Sequence, residues 1–364
     1  MIDRIQNEYF PDAVTPPGET LQEVLYTIGM TKAELADRIG KTPKFIIDMI
    51  KHGATITAAT AMDLEKVLGI PATFWNNRER RYRENLARKE ERKRLKKEAD
   101  WLKGFPLGQM IKFGWIKKHK DRADQMDEVL KFFGIASYRQ WDAIWLTPSA
   151  TYRKSKAFAS KPGASSAWLR KGELQGQELG CSPYDRGKFV SALEEVRRLT
   201  CTEPEGFQAR TVQLCAEAGV AVVFTRPMKG APVYGATRWL TAEKALIQLS
   251  LRGKFEDLLW FTFFHEAGHI LLHGKKEVFI EGDGQQSEKE KDADHFAANI
   301  LIPNNSWQKF ISKEDVQSAA AVKDFSEQLE ISPAVIVGRL QHEGLIPHSH
   351  LNGLRRRFVI NWEM

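Results

Sequence analysis

The chain has 364 residues, enough for two or three domains with buried cores. Its three cysteines, Cys181, Cys201 and Cys215, are odd in number and form no C-x-x-C pair. That excludes a disulfide framework and a cysteine zinc cluster, and predicts a reduced cytoplasm. The net charge of +7 is unevenly placed. No run approaches the roughly 18 apolar residues that span a bilayer, and residues 1–8 lack the apolar core of a signal peptide.

In chain order, residues 31–40 read as a short amphipathic helix, with Thr31 as N-cap, Glu34 in the capping-box position and Gly40 as its stop. Thr42-Pro43 opens a second helix through Lys51, since Thr caps well and Pro suits the first helical position. Ile46, Met49 and Ile50 form a seam to be buried, and Ala36 permits a close crossing. The pair predicts a helix-turn-helix with DNA contacts at Lys41, Thr42, Lys44, Phe45, Asp48 and Lys51. In it Lys44, Phe45 and Asp48 face base edges, while Lys41, Lys51 and His52 sit where phosphates would lie. A module of this kind can also serve as a dimerisation or partner surface. Residues 78–97 contain no Pro or Gly and interleave Glu with Lys and Arg. This predicts a charged helix, either a solvated face laced by i,i+4 pairs or an electrostatic contact with nucleic acid.

Residues 100–148 hold aromatic helices at 126–135 and 141–145 whose rings are expected to be core. Residues 158–166 read as a loop, with a helix entered at Trp168.

His265-Glu266-Ala267-Gly268-His269 is the strongest chemical signal. On a helix, positions i and i+4 share a face, so both imidazoles can reach one tetrahedral zinc ion. Glu266 lies about 100° round the helix from His265, beside the metal, where it can take a proton from a water the metal has acidified. Gly268 costs helix stability, which suggests a close approach there by a strand or a substrate backbone. A third ligand is needed. Residues 290–301 predict a second helix ended by Pro303, on which Glu290 can ligate while Asp294, four residues on, accepts the other N–H of a ligating histidine. Asp292, about 200° from Glu290, is the alternative ligand. His273 and His295 read as neighbours of the site or surface residues, with transition-state stabilisation by one of them as the sharper role. Residues 332–344 predict a Pro-started helix, and His348 and His350 a loop.

The phrase Phe261-Thr262-Phe263-Phe264-His265-Glu266 and the run from Asp292 to Pro303 resemble the ImmA/IrrE family of metallopeptidases, over about residues 150–350. The resemblance implies strands at 219–224, 233–236 and 245–250. It also implies a gluzincin-like site with zinc on His265, His269 and Glu290 and with Glu266 as general base; Asp292 stands where relatives often have Glu. Residues 15–85, including 56–69 and Phe74-Trp75-Asn76-Asn77, resemble the Xre/Cro-like domain of HigA-type antitoxins.

The expected fold class is α+β and mostly helical. A helix-turn-helix domain is expected at 1–85, a charged helix and helical linker at 86–150, a metallopeptidase domain with a small sheet on the metal helix at 151–345, and a tail at 346–364. The expected function is a cytoplasmic regulator that binds operator DNA, as a homodimer where half-sites are read in pairs, and cuts a partner regulator protein in toxin–antitoxin or stress control, with a toxin as a further partner. A strand near Leu246 to Ser250 is expected to hold the substrate by edge pairing. The alternatives are an antitoxin-like transcription factor whose metal domain senses or binds without hydrolysis, and a peptidase that clips its own linker.

Overall fold

A computed structural model describes residues 14–145, 161–202, 206–250, 252, 255–275, 278–282, 287–313 and 315–357. The expectations for residues 1–13, for the 150/151 boundary, for 158–160 and for 358–364 lie outside the described residues. The protein is mostly helical α+β with one four-stranded sheet. Two compact units divide it, one of the described residues up to Ala99 with Asp121–Asp124, the other of Asp100–Lys120 with the described residues from Gln125 onward.

The first unit comprises α1 (Pro17–Ile28), α2 (Lys32–Arg38), α3 (Pro43–Lys51), α4 (Ala58–Leu68) and α5 (Ala72–Glu98). Thr31, Thr42 and Thr57 cap α2, α3 and α4, each hydroxyl accepting from the backbone N–H three residues on (3.1, 3.3 and 3.2 Å). Instead of closing the capping box, the Glu34 carboxylate pairs with Arg38 at 2.6 Å. Leu21, Leu35, Ala36, Ile46, Met49, Leu64 and Trp75 build the core. Pro17 and Gly18, which lead into the module, already belong to α1, and Gly18 is needed there because a Cβ would stand 2.1 Å from the carbonyl oxygen of Met49. α5 runs through residue 85 without a break.

In the second unit, α6 (Leu107–Lys112), α7 (Arg122–Phe133) and α8 (Tyr138–Trp145) precede α9 (Pro162–Glu178), α10 (Arg186–Leu199) and α11 (Phe207–Glu217). Phe105, Phe133, Trp141 and Trp145 are buried and meet edge-on or tilted, the packing expected of core aromatics. The loop expected at 158–166 is overturned from residue 162 on. Pro162 starts α9, and Gly163 lets its first turn press against the carbonyl of Gly104.

The strands are β1 (Val220–Phe224), β2 (Val233–Thr241), β3 (Lys244–Leu249) and β4 (Phe279–Gly282), in the order β1-β3-β2-β4. β1 and β3 are parallel; β2 is antiparallel to both β3 and β4. β3 is covered on both faces. Ala245, Ile247 and Leu249 join the main core, whereas Leu246 packs with Ala221 and Val223, and Gln248 donates to the Trp168 carbonyl of α9 at 2.7 Å. Since β1 and β2 take both its edges, β3 cannot pair with a substrate strand, contrary to the expectation for 246–250.

α12 (Glu256–Leu272) lies against the sheet, followed after β4 by α13 (Glu288–Leu301), α14 (Asn304–Ile311), α15 (Ala319–Leu329) and α16 (Pro333–His342). The C-terminal segment anchors α12. Arg355 donates to both carboxylate oxygens of Asp257 (3.1 and 2.7 Å), Arg356 donates to Glu256 (3.1 Å), and Ser332 donates to Glu256 at 2.9 Å. Two acids in the first turn suit the positive end of the helix, and the arginines neutralise them where they are buried.

Candidate metal centre

α12 is apolar nearly all round, so Leu259, Phe263, Phe264 and Ile270 drive it into the core and carry His265 and His269 with them, each only 2% exposed. Ser287 caps α13 by accepting from Glu290 N–H at 3.3 Å, which puts Glu290 in the first turn of that helix, facing α12. The two helices approach closely at Gly268, where a Cβ would lie 3.1 Å from the Phe296 ring and 3.3 Å from Ala293 Cα. What presses on Gly268 is therefore α13 itself, in place of the strand or substrate backbone expected.

His265 Nε2, His269 Nε2 and Glu290 Oε2 converge. The two nitrogens are 3.0 Å apart, and the carboxylate oxygen lies 3.0 Å from His265 and 3.5 Å from His269. Donors at about 2.0–2.1 Å from a tetrahedral zinc stand about 3.3 Å from one another, so this triangle fits such an ion. Each outer ring nitrogen is also engaged. His265 Nδ1 donates to Asp294 at 2.8 Å, and His269 Nδ1 lies 3.0 Å from His273 Nδ1, whose other nitrogen faces Asp292 at 3.8 Å. Asp292 is 61% exposed and stands behind His273, outside the donor triangle. His295 is exposed on α13.

The protonation states suit a cation. Burial, with the charges of His265 and His273, pushes His269 down to about 4, against the opposing pull of Glu290, so its imidazole is neutral at pH 7. Burial works to raise Glu290, but hydrogen bonds from His265 and His269 outweigh it and hold the carboxyl down at about 2. A neutral imidazole and an ionised carboxylate are the forms that ligate metal.

Glu266 is fully buried beside the triangle. Its backbone carbonyl accepts from Thr237 Oγ1 at 3.1 Å, and its side chain lies over Gly235, where a Cβ would come within 2.5 Å of Oε1. Gly235 and Thr237 share the face of β2 turned to α12. Neither role is legible in the sequence, nor is β4, whose Phe279 stacks on His269 with ring centroids 3.9 Å apart. The short run Val278-Phe279-Ile280 was the available signal for that strand.

On the helix-turn-helix, Lys41, Thr42, Lys44 and Lys51 are exposed and Asp48 is half-buried. Phe45, expected to face outward, is half-buried and leans on the core, with Lys41 Nζ 5.9 Å from its ring centroid. At about 100° per residue, Ile47 shares the outer face with Lys44, Asp48 and Lys51, and it is exposed.

Fold and site together define an α+β protein with a two-histidine, one-carboxylate centre on paired helices, in a chain that also carries a helix-turn-helix. Residues 215–340 match the family model Peptidase_M78, described as the IrrE N-terminal-like domain. Among solved structures, the chain is similar to an addiction module antidote protein of the HigA family from Coxiella burnetii. That likeness is 29% identical and covers 23% of this chain and 94% of that one, with a TM-score of 0.22. No curated protein matches the chain. No helix among the described residues is long and apolar enough to cross a membrane.

Proposed function

We propose that this chain is a DNA-binding transcription regulator whose metal domain is a zinc-dependent endopeptidase acting on a partner regulator protein. The carrying observation is the donor triangle of His265, His269 and Glu290 with the Glu266 carboxylate beside it. Three protein ligands leave a fourth position open, the pattern of catalytic zinc sites. Zinc held there supplies Lewis acidity toward a water and a scissile carbonyl. Glu266 takes the proton from the attacking water and returns it to the leaving amine. Gly235 and Thr237 keep Glu266 in position, while Asp294 and His273 fix the two rings. An extended substrate pairs with the outer edge of β4, to which no strand among the described residues is bonded and which adjoins His269 through Phe279. DNA binding rests on α2 and α3, with Lys44 and Lys51 projecting from α3. Tethering at an operator raises the effective concentration toward a partner also bound to DNA, which includes toxin–antitoxin regulators.

One observation favours a second reading, a metal domain that senses a ligand without hydrolysis. A cleft of about 770 Å³ between α12, α13 and α16 is lined by Asp294, Phe261, Val335 and Arg339 but by none of the three converging donors. A ligand there meets the centre through the Nδ1 side of His265. The zinc-loaded protein and Glu266→Gln should be incubated with a random peptide library and the products read by mass spectrometry. Cleavage by the wild type that is absent from the variant, at equal zinc content, is the expected result. Equal cleavage by both removes the mechanism, and cleavage by neither, with zinc bound, selects the sensor.

A further inference from the structure

We propose that α5 is a second phosphate-binding surface for duplex DNA, continuous with the helix-turn-helix; the proposal rests on the DNA-binding reading above. Residues 78–97 contain eleven Lys and Arg against four Glu, so this one segment carries a net +7, equal to the net charge of the entire chain.

Most of its cations are already paired. Arg83 meets Glu79, Arg80 and Arg88 meet Glu84, Lys93 meets Glu90, and Arg94 meets Glu91 and Glu98, while Arg92 pairs with Asp121 and Asp124. These pairs account for a solvated helix. They do not account for Arg81, Lys89 and Lys96, which are exposed and have no carboxylate within ion-pair distance among the described residues. Steps of eight and seven residues keep these three within an arc of about 80°, along about 22 Å of helix. The stripe is an elongated cationic ridge that no carboxylate among the described residues pairs.

Two observations select its partner. Trp75 docks the start of α5 on the core, but within residues 78–97 Leu95 is buried and Leu86 is the exposed leucine, so this segment offers no apolar stripe for a bilayer or a further helix. The helix is also fastened to the recognition element. Arg83 Nη2 donates to the Gly53 carbonyl at 2.6 Å and to Thr55 Oγ1 at 3.0 Å, in the loop that follows Lys51 and His52 at the end of α3. A duplex carries about one negative charge per 1.7 Å of axis, so a cationic ridge of this length leaving the end of a recognition helix has several phosphates to meet.

Counterion release supplies the test, because each phosphate neutralised adds about 0.9 to the slope of log K against log salt. The probe is a fluorescein-labelled, 30-base-pair duplex of mixed sequence, and the readout is anisotropy titration of the full chain across a salt series. The variant Arg81→Gln/Lys89→Gln/Lys96→Gln keeps helix-forming residues and removes the three charges. A control, Lys188→Gln/Lys309→Gln/Lys323→Gln, takes the same charge from exposed sites on the other unit. The α5 triple should flatten the slope by about 2 to 3, and the control should leave it unchanged. An unchanged slope for the α5 triple overturns the proposal, as does an equal loss in both triples, which would report net charge only. Absence of duplex binding by the wild type even at low salt overturns the DNA reading and this proposal together.

Discussion

Gly235→Ala changes one hydrogen to a methyl in β2 and strikes the proposed general base. The new Cβ would stand 2.5 Å from Glu266 Oε1, 2.9 Å from Glu266 Cγ and 2.6 Å from Thr262 Cγ2. Carbon contacts settle at about 3.5–4.0 Å, so the atoms must separate by about 1 Å. The helix yields less readily than the side chain, since Thr237 grips the Glu266 carbonyl and Phe263 and Phe264 lock the same turns into the core. Overpacking of this size costs about 1–3 kcal/mol of stability. A misplacement of about 1 Å at a catalytic group costs about 10²-fold in rate. His265, His269 and Glu290 are absent from the clash, so metal binding should persist. Zinc content, melting temperature and kcat/KM on a cleaved peptide would be measured side by side. The expected variant keeps its zinc, melts a few degrees lower and loses about two orders of magnitude in kcat/KM. Full activity at full zinc loading would refute the assignment of Gly235 as the seat of Glu266, and with it the placement of the base.

Three further outcomes follow from the same geometry. His273→Ala should weaken zinc affinity about 10- to 100-fold in a chelator competition, with partial rescue by His273→Asn; unchanged affinity would remove His273 as the orienter of His269. Metal-free protein should lose stability on acidification, because His269 titrates at about 4 when folded against an ordinary 6.5 and the unfolded chain binds the extra proton between those values. Urea unfolding should register a loss of about 2 kcal/mol by pH 5 relative to pH 7, with Glu290 adding a further loss between 4.5 and 2; a flat profile would contradict the burial of His269. Thr42→Ala should lower the stability of the helix-turn-helix unit by about 1 kcal/mol without touching zinc content, since it removes only the α3 cap.

Where local chemistry decides structure, the sequence was readable. Thr31 and Thr42 precede their helices and cap them, and the seam Ile46, Met49, Ile50 is buried as its 3.6-residue spacing demands. The spacing of His265, His269, Glu290 and Asp294 depends on two helices and one crossing, and those four side chains do come together. What stayed hidden depends on strand order. β3 has the apolar run of any buried strand, and nothing in Leu246 to Ser250 says that it lies between β1 and β2. β4 is four residues long, too short for a periodic signal, yet its Phe279 covers His269. Gly235 reads as an ordinary strand glycine until Glu266 is placed above it. Helical position alone turns Phe45 outward, but its ring is large enough to bend back onto the core edge.

The most direct test of the account is the zinc content of purified protein by elemental mass spectrometry, for wild type, His265→Ala, Glu290→Ala and Asp292→Ala. The account predicts about one zinc per chain in the wild type, lost in the first two variants and retained in Asp292→Ala, whose carboxylate stands behind His273. A wild type that binds no zinc, or zinc that survives Glu290→Ala and is lost with Asp292→Ala, would contradict it.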